Sequence, residues 1–183
     1  MLFFRFLEST ILEQVKRGDT VAFRRLYREY EKPIYRFIYF RTNNEETAED
    51  LTSEVFIKTL DFLKKSEDLE IKNFRAFIYQ IARNLIIDFY RSRKELSSFD
   101  ESIESRLPVD SNLPKITDQK IALDELRGHL NLLEPEYREP FLLHYFSGLS
   151  YKEIALVLED KEANVKMRAH RAKKTLQGKM KNS

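Results

Sequence analysis

The side chains able to do chemistry here fall into three clusters, and each suits binding better than catalysis. The first is acidic: Glu45, Glu46, Glu49, Asp50 and Glu54 place five acids and no base within positions 45–54. Acids are at home near a helix N-terminus, where the peptide dipole favours negative charge. They equally suit a docking face for a basic partner. A metal fits poorly, because no histidine lies near. The second cluster interleaves aromatic and cationic residues between Asn73 and Lys94. The third is segment 163–183, with seven lysines or arginines and no acid. His129, His144 and His170 are isolated and cysteine is absent, so zinc sites, catalytic triads and thiol chemistry lack support. Only Gly18, Gly128, Gly148 and Gly178 break the chain, which leaves no glycine-rich phosphate loop. Enzyme is the least supported class, and no cofactor or metal is expected.

The second cluster gains meaning on a helix, projected at about 100° per residue. Phe74, Ile78, Ile81, Ala82, Leu85 and Phe89 gather on one side. Tyr79, Arg83, Ile87, Tyr90 and Lys94 gather opposite, flanked by Gln80, Asn84 and Arg91. Rings for stacking and cations for the backbone are what single-stranded DNA requires. The competing reading is that Tyr79 and Tyr90 merely cover core edges.

The third cluster lies behind a start signal. Ser150-Tyr-Lys-Glu153 has the spacing of a capping box, and Gly148 suits the left-handed residue that ends a preceding helix. A short helix, Tyr151 to Leu158, and a turn, Glu159 to Lys161, follow. Val165, Ala169, Ala172 and Leu176 then mark the buried side of a longer helix, whose outer side carries Asn164, Lys166, Met167, Arg168, His170, Arg171 and Lys174. Such a helix-turn-helix sets its second helix in a major groove, where arginine and asparagine read base edges and lysines hold phosphates. The bland alternative is a solvated terminal helix whose cations favour its dipole.

The elements that must position these clusters are helical. Phe23, Leu26, Tyr27, Tyr30, Ile34, Phe37 and Ile38 form a long helical stripe, with Pro33 expected to kink it. A second helix is expected from Glu46 to about Lys64, with Leu51, Val55, Phe56, Leu60 and Leu63 inward. A third should start at Asn73, a good N-cap, and run to about Arg93. Residues 95–119 hold Pro108, Pro114 and six acids against two bases, without sustained period. Helical spacing resumes at Ile121, Leu126 and Leu130, then at Tyr137, Phe141, Leu142 and Tyr145. The expectation is an all-α chain: small helical domains at 1–94 and 120–183, joined by a flexible acidic linker at 95–119. The net charge of +2 over 183 residues hides this asymmetry. The longest apolar run, Ile154 to Leu158, is too short to span a bilayer. Arg5 interrupts the apolar start and no small-residue cleavage site follows it, so a cytoplasmic location is expected.

Three segments, in order, resemble the extracytoplasmic-function (ECF) sigma factors of bacterial RNA polymerase, within the sigma-70 family. Leu133 to Ala155 (LEPEYREPFLLHYFSGLSYKEIA) resembles their helix-turn-helix domain 4. Ala48 to Lys58 (AEDLTSEVFIK) resembles the domain 2 helix that docks on the polymerase clamp, and Phe74 to Asp88 (FRAFIYQIARNLIID) the helix facing the −10 promoter element. The resemblance implies a sigma factor that binds core RNA polymerase, directs it to promoter DNA and helps open the −10 region. It assigns core binding to Glu49, Asp50, Leu51, Glu54, Val55 and Phe56. Contact with the melted −10 element would fall to Lys72, Asn73, Arg75, Phe77, Tyr79, Gln80, Arg83, Asn84, Tyr90, Arg91 and Lys94, with Lys64 to Lys72 holding an extruded base. Reading of the duplex −35 element would fall to Lys161, Asn164, Lys166, Met167, Arg168, His170, Arg171 and Lys174. An anti-sigma factor is a further partner the family allows. The family usually has glycine, an apolar residue and a hydroxyl cap where this chain has Glu159, Asp160 and Lys161. It usually has glutamine at Ser53 and no proline at Pro140. A stand-alone helix-turn-helix regulator and a polymerase-binding adaptor without −35 reading are the alternatives.

Overall fold

The computed structural model describes residues 2–65, 71–97, 128, 130 and 133–180, with side chains described for 8–65, 71–93, 128, 130 and 133–178. The elements are α1 (Leu2–Lys16), α2 (Thr20–Thr42), α3 (Glu45–Lys65), α4 (Phe74–Ser97), α5 (Pro135–Phe141), a π-helical turn (Leu142–Phe146), α6 (Tyr151–Leu158) and α7 (Glu162–Met180). No strand occurs among the described residues. By contacts the chain divides into two compact units, Met1–Asp88 with Leu156–Glu159, and Phe89–Ala155 with Asp160–Ser183.

In the first unit, Asx side chains start the helices. Asp19 accepts from the N–H groups of Val21 (2.8 Å) and Ala22 (3.1 Å), and so caps α2. Asn44 Oδ1 accepts from Thr47 N–H at 2.7 Å ahead of α3, and Asn73 Oδ1 from Ala76 N–H at 2.9 Å ahead of α4. Each bond satisfies an amide that the helix itself leaves open. Asn43, left-handed at φ 57°, ends α2 by donating its N–H to Tyr39. The predicted stripe of α2 faces inward, with Leu26, Tyr30, Ile34, Phe37 and Ile38 buried, and the helix continues past Pro33. The buried hydroxyls of Thr52 and Thr59 donate back to the carbonyls of Ala48 and Val55, so α3 carries polar residues on its core side at little cost.

Helix α1 has no counterpart among the expected elements. Its described buried residues, Leu12 and Val15, span one turn, too little to show a period. A clasp holds it: the Tyr30 hydroxyl donates to Glu8 Oε1 at 2.6 Å. Burial first, and the Glu8 carboxylate second, push the Tyr30 phenol far above its ordinary 10.0. The Tyr30 ring also meets Phe74 of α4 edge-on, with centroids 5.4 Å apart.

In the second unit, Pro135 sits at the first turn of α5, where its missing N–H costs nothing. Pro140 lies within the last turn of α5, and the next turn is π-helical, with Ser147 N–H donating to Leu142 C=O at 3.0 Å. Gly148 (φ 68°) then closes the turn, and Leu149 N–H reaches back to Leu143 C=O at 2.9 Å. The capping box forms as spaced: Glu153 N–H donates to Ser150 Oγ (3.2 Å), and Ser150 N–H to Glu153 Oε2 (2.8 Å). Val165, Ala169, Ala172 and Leu176 are buried along α7, as expected. Residues 98–127 lie outside the described residues, and with them most of the expected linker and the spacing at Ile121 and Leu126. Helix α4 reaches Ser97, beyond the expected Arg93.

Candidate nucleic-acid and polymerase interfaces

On α3 the acids and the apolar residues separate. Glu49 and Asp50 are exposed, and Glu54 pairs with Lys58 at 3.4 Å. Leu51, Val55 and Phe56, expected to contact a partner, are buried instead. The Phe56 ring lies 4.6 Å from that of Tyr27 and 6.5 Å from that of Phe23. Phe56 thus packs α3 against α2, and burial removes Leu51, Val55 and Phe56 from the candidate surface. Ile57 was missed: it is 60% exposed. The signal for it was its position seven residues after Asp50, two helical turns along the same face.

On α4 the exposed face is rotated from the expected one. Tyr79 is a correction: it is fully buried, its ring edge-on to Phe37 at 5.5 Å, and it has no face for a base. Gln80, Arg83, Asn84, Ile87, Tyr90 and Arg91 form the accessible stripe, with Asn84, Tyr90 and Arg91 the most open. Tyr90 stands edge-on to Phe89 (5.4 Å), and the Arg93 guanidinium lies 5.2 Å from the centre of the Phe89 ring. At the start of α4, Lys72 is exposed and Arg75 half-buried. Asn73 is engaged as the cap, and half-buried Phe77 leans on Phe62 at 4.7 Å. The Lys94 side chain and residues 66–70 of the expected base-holding loop lie outside the described residues.

The outer side of α7 is as expected: Lys161, Lys166, Met167, His170, Arg171 and Lys174 are exposed, Asn164 and Arg168 partly so. The acidic turn ahead of it is ordered around one carboxylate. Glu159 takes the left-handed conformation (φ 54°) that glycine would otherwise supply. Asp160 Oδ1 accepts from Lys161 N–H at 2.7 Å and from Asn164 Nδ2 at 2.9 Å. Its Oδ2, sealed from solvent, lies 2.9 Å from Arg168 Nη1. Donation from Asn164, then from the Lys161 amide, holds the Asp160 carboxyl below its ordinary 3.8, and Arg168 lowers it further. A row of rings links the π-helical turn, α6 and α7: His144 stacks on Tyr151 at 4.2 Å, and the Tyr151 ring lies tilted 6.0 Å from that of His170.

Comparison with known proteins identifies the family. Residues 26–95 match the family model of Sigma-70 region 2, and residues 123–176 that of Sigma-70, region 4. The chain is 30% identical over 153 residues to the ECF RNA polymerase sigma factor SigM of Bacillus subtilis, covering 82% of this chain and 90% of SigM. It belongs to the ECF sigma factors. The ECF RNA polymerase sigma factor BldN of Streptomyces coelicolor is 34% identical over 172 residues, a match covering 91% of this chain and 63% of BldN. As a sigma factor the chain is a transcription initiation factor, of the class that brings RNA polymerase to promoters. Its fold is that of CnrH, solved with the cytosolic domain of CnrY (TM-score 0.74, 20% identity, 96% of this chain and 97% of that one). It is also that of the sigma factor RpoE from Bartonella quintana, solved with the anti-sigma factor NepR (TM-score 0.67, 22% identity, 87% and 96%). No described helix of this sigma factor is long and apolar enough to cross a membrane.

Proposed function

We propose that this sigma factor divides promoter recognition between two domains, 1–94 and 120–183, tethered by the acidic linker 95–119. Glu49, Asp50, Glu54 and Ile57 of α3 dock on core RNA polymerase. The α4 stripe, with Lys72 and Arg75, holds the melted −10 strand: Tyr90 supplies a stacking ring, and Arg83 and Arg91 charge for the backbone. Arg168, Arg171 and Asn164 of α7 read base edges of the −35 element, while Lys161, Lys166 and Lys174 hold phosphates. The protein works in the cytoplasm, catalyses no reaction of its own, and takes an anti-sigma protein as a further partner, as RpoE of Bartonella quintana does with NepR.

The observation that carries this reading is the uneven distribution of chemistries: mainly acid with one exposed isoleucine on α3, aromatic with amide and cation around Asp88 on α4, and mainly cation on α7. Run-off transcription with core polymerase on a genomic promoter library tests it. Discrete start sites that depend on the added protein are expected; none would overturn the reading. The adaptor reading draws on Asp160, a carboxylate beside the groove-facing helix, and requires initiation indifferent to −35 sequence.

A further inference from the structure

The turn ahead of α7 departs from the family where it meets DNA in the proposed reading, and its geometry gives the departure a use. One carboxylate engages two side chains that lie one helical turn apart on one face, Asn164 through Oδ1 and Arg168 through Oδ2. The hydrogen bond fixes which end of the Asn164 amide is which, and leaves its oxygen and one N–H for another partner. The ion pair spans eight residues of chain, from the turn to the second turn of α7, and leaves most of the Arg168 donors unengaged by Asp160. We propose that Asp160 is a positioning and selectivity residue for −35 recognition, setting Asn164 and Arg168 for base edges and offsetting the Arg168 charge toward phosphate. This rests on the reading of α7 as the −35 helix.

Bidentate base contacts demand side chains held in one geometry, and side chains held before binding lose less freedom on it. Attraction to phosphate is blind to sequence, so a carboxylate beside Arg168 penalises the scrambled site as much as the cognate one. Only the cognate site returns the difference, through base contacts. Selectivity rises while total affinity need not. A purely structural role makes another prediction, because the Asp160–Lys161 bond orders the turn whether or not DNA is read.

The test uses holoenzyme assembled from the full chain and core polymerase. Wild type first selects a duplex from DNA randomised through the −35 element. Binding is then measured on that duplex and on its scrambled form, across a salt series. Asp160→Ala should lower the cognate-to-scrambled ratio about tenfold, and steepen the salt dependence by about one counterion as Arg168 turns to phosphate. Asp160→Asn keeps an acceptor for Lys161 and Asn164 but drops the charge, so it should steepen the salt dependence while losing less selectivity. Asp160→Ala should add little in an Arg168→Ala background, since the two act as a pair. A lowered melting temperature with unchanged ratio and salt slope would make Asp160 structural and overturn the proposal. If Arg168→Ala and Asn164→Ala also leave the ratio unchanged, the −35 reading itself fails. If they lower it and the Asp160 variants do not, this inference alone fails.

Discussion

A tyrosine in the core and a tyrosine on the surface separate on α4. Tyr79→Ala removes a fully buried ring against Phe37 and should cost about 3–5 kcal/mol. Tyr90→Ala, at an exposed position, should stay within about 0.5 kcal/mol of wild type yet weaken binding to melted −10 DNA. Urea unfolding and holoenzyme binding to a bubble template measure the two effects. Periodicity put both rings on one outer face because a single apolar stripe was assumed. Tyr30 and Phe37 of α2, with Phe62 of α3, surround α4 with rings, so its buried arc is wider than one stripe. No count along one helix contains its neighbours. Asp160 carries a pH consequence. Its carboxyl titrates lower in the folded chain than in the unfolded one, so its stabilisation is complete above the ordinary 3.8 and disappears as pH falls below it. The loss of helix signal in acid should therefore come at higher pH in wild type relative to its own neutral-pH stability than in Asp160→Asn, followed by circular dichroism.

At the scale of the element, local chemistry was the most legible. Asn73, Gly148 and the Ser150–Glu153 box are short-range signals, and each forms the bond or the left-handed turn its spacing calls for. Helix α1 was not legible, because its anchor is a contact from Glu8 to Tyr30, far apart in sequence. Asn73→Ala should cost about 1 kcal/mol through loss of the α4 cap, read as a lower urea midpoint at unchanged slope. The acidic face of α3 makes the opposite prediction. Asp50→Lys with Glu54→Lys leaves the buried Leu51, Val55 and Phe56 in place, so stability should move by no more than about 1 kcal/mol. Affinity for core polymerase should fall; an unchanged pull-down titration would refute the docking face. Ile57→Arg should share the phenotype.

Over the whole molecule, basic and acidic residues nearly cancel, at 32 and 30, so little net charge draws the chain to phosphate. Free protein should therefore bind promoter duplex weakly, and polymerase should be needed to present both halves at once, since tethered sites gain through effective concentration. Gel shifts with and without core polymerase measure this. Tight, sequence-specific binding by the free chain would favour the stand-alone regulator. The all-helical plan was readable because helical spacing recurs along the chain, whereas the bounds of the two contact units were not, being a matter of packing rather than pattern.

The clasp between α1 and α2 also gives the protein an optical gauge. With no tryptophan and nine tyrosines, near-ultraviolet absorbance belongs to phenols, and phenolate is distinguishable from phenol. Tyr30 is buried and its hydroxyl donates a hydrogen bond to Glu8, so its ionisation is held far above the ordinary 10.0 while α1 stays docked. The sign is fixed: this stabilisation is intact below the unfolded value and drains away as alkali removes the proton. Alkaline titration should thus show Tyr30 among the phenols that ionise late, together with loss of helix. Tyr30→Phe should remove one phenol from that late rise in absorbance, turning the first helix's attachment into something a spectrophotometer can follow.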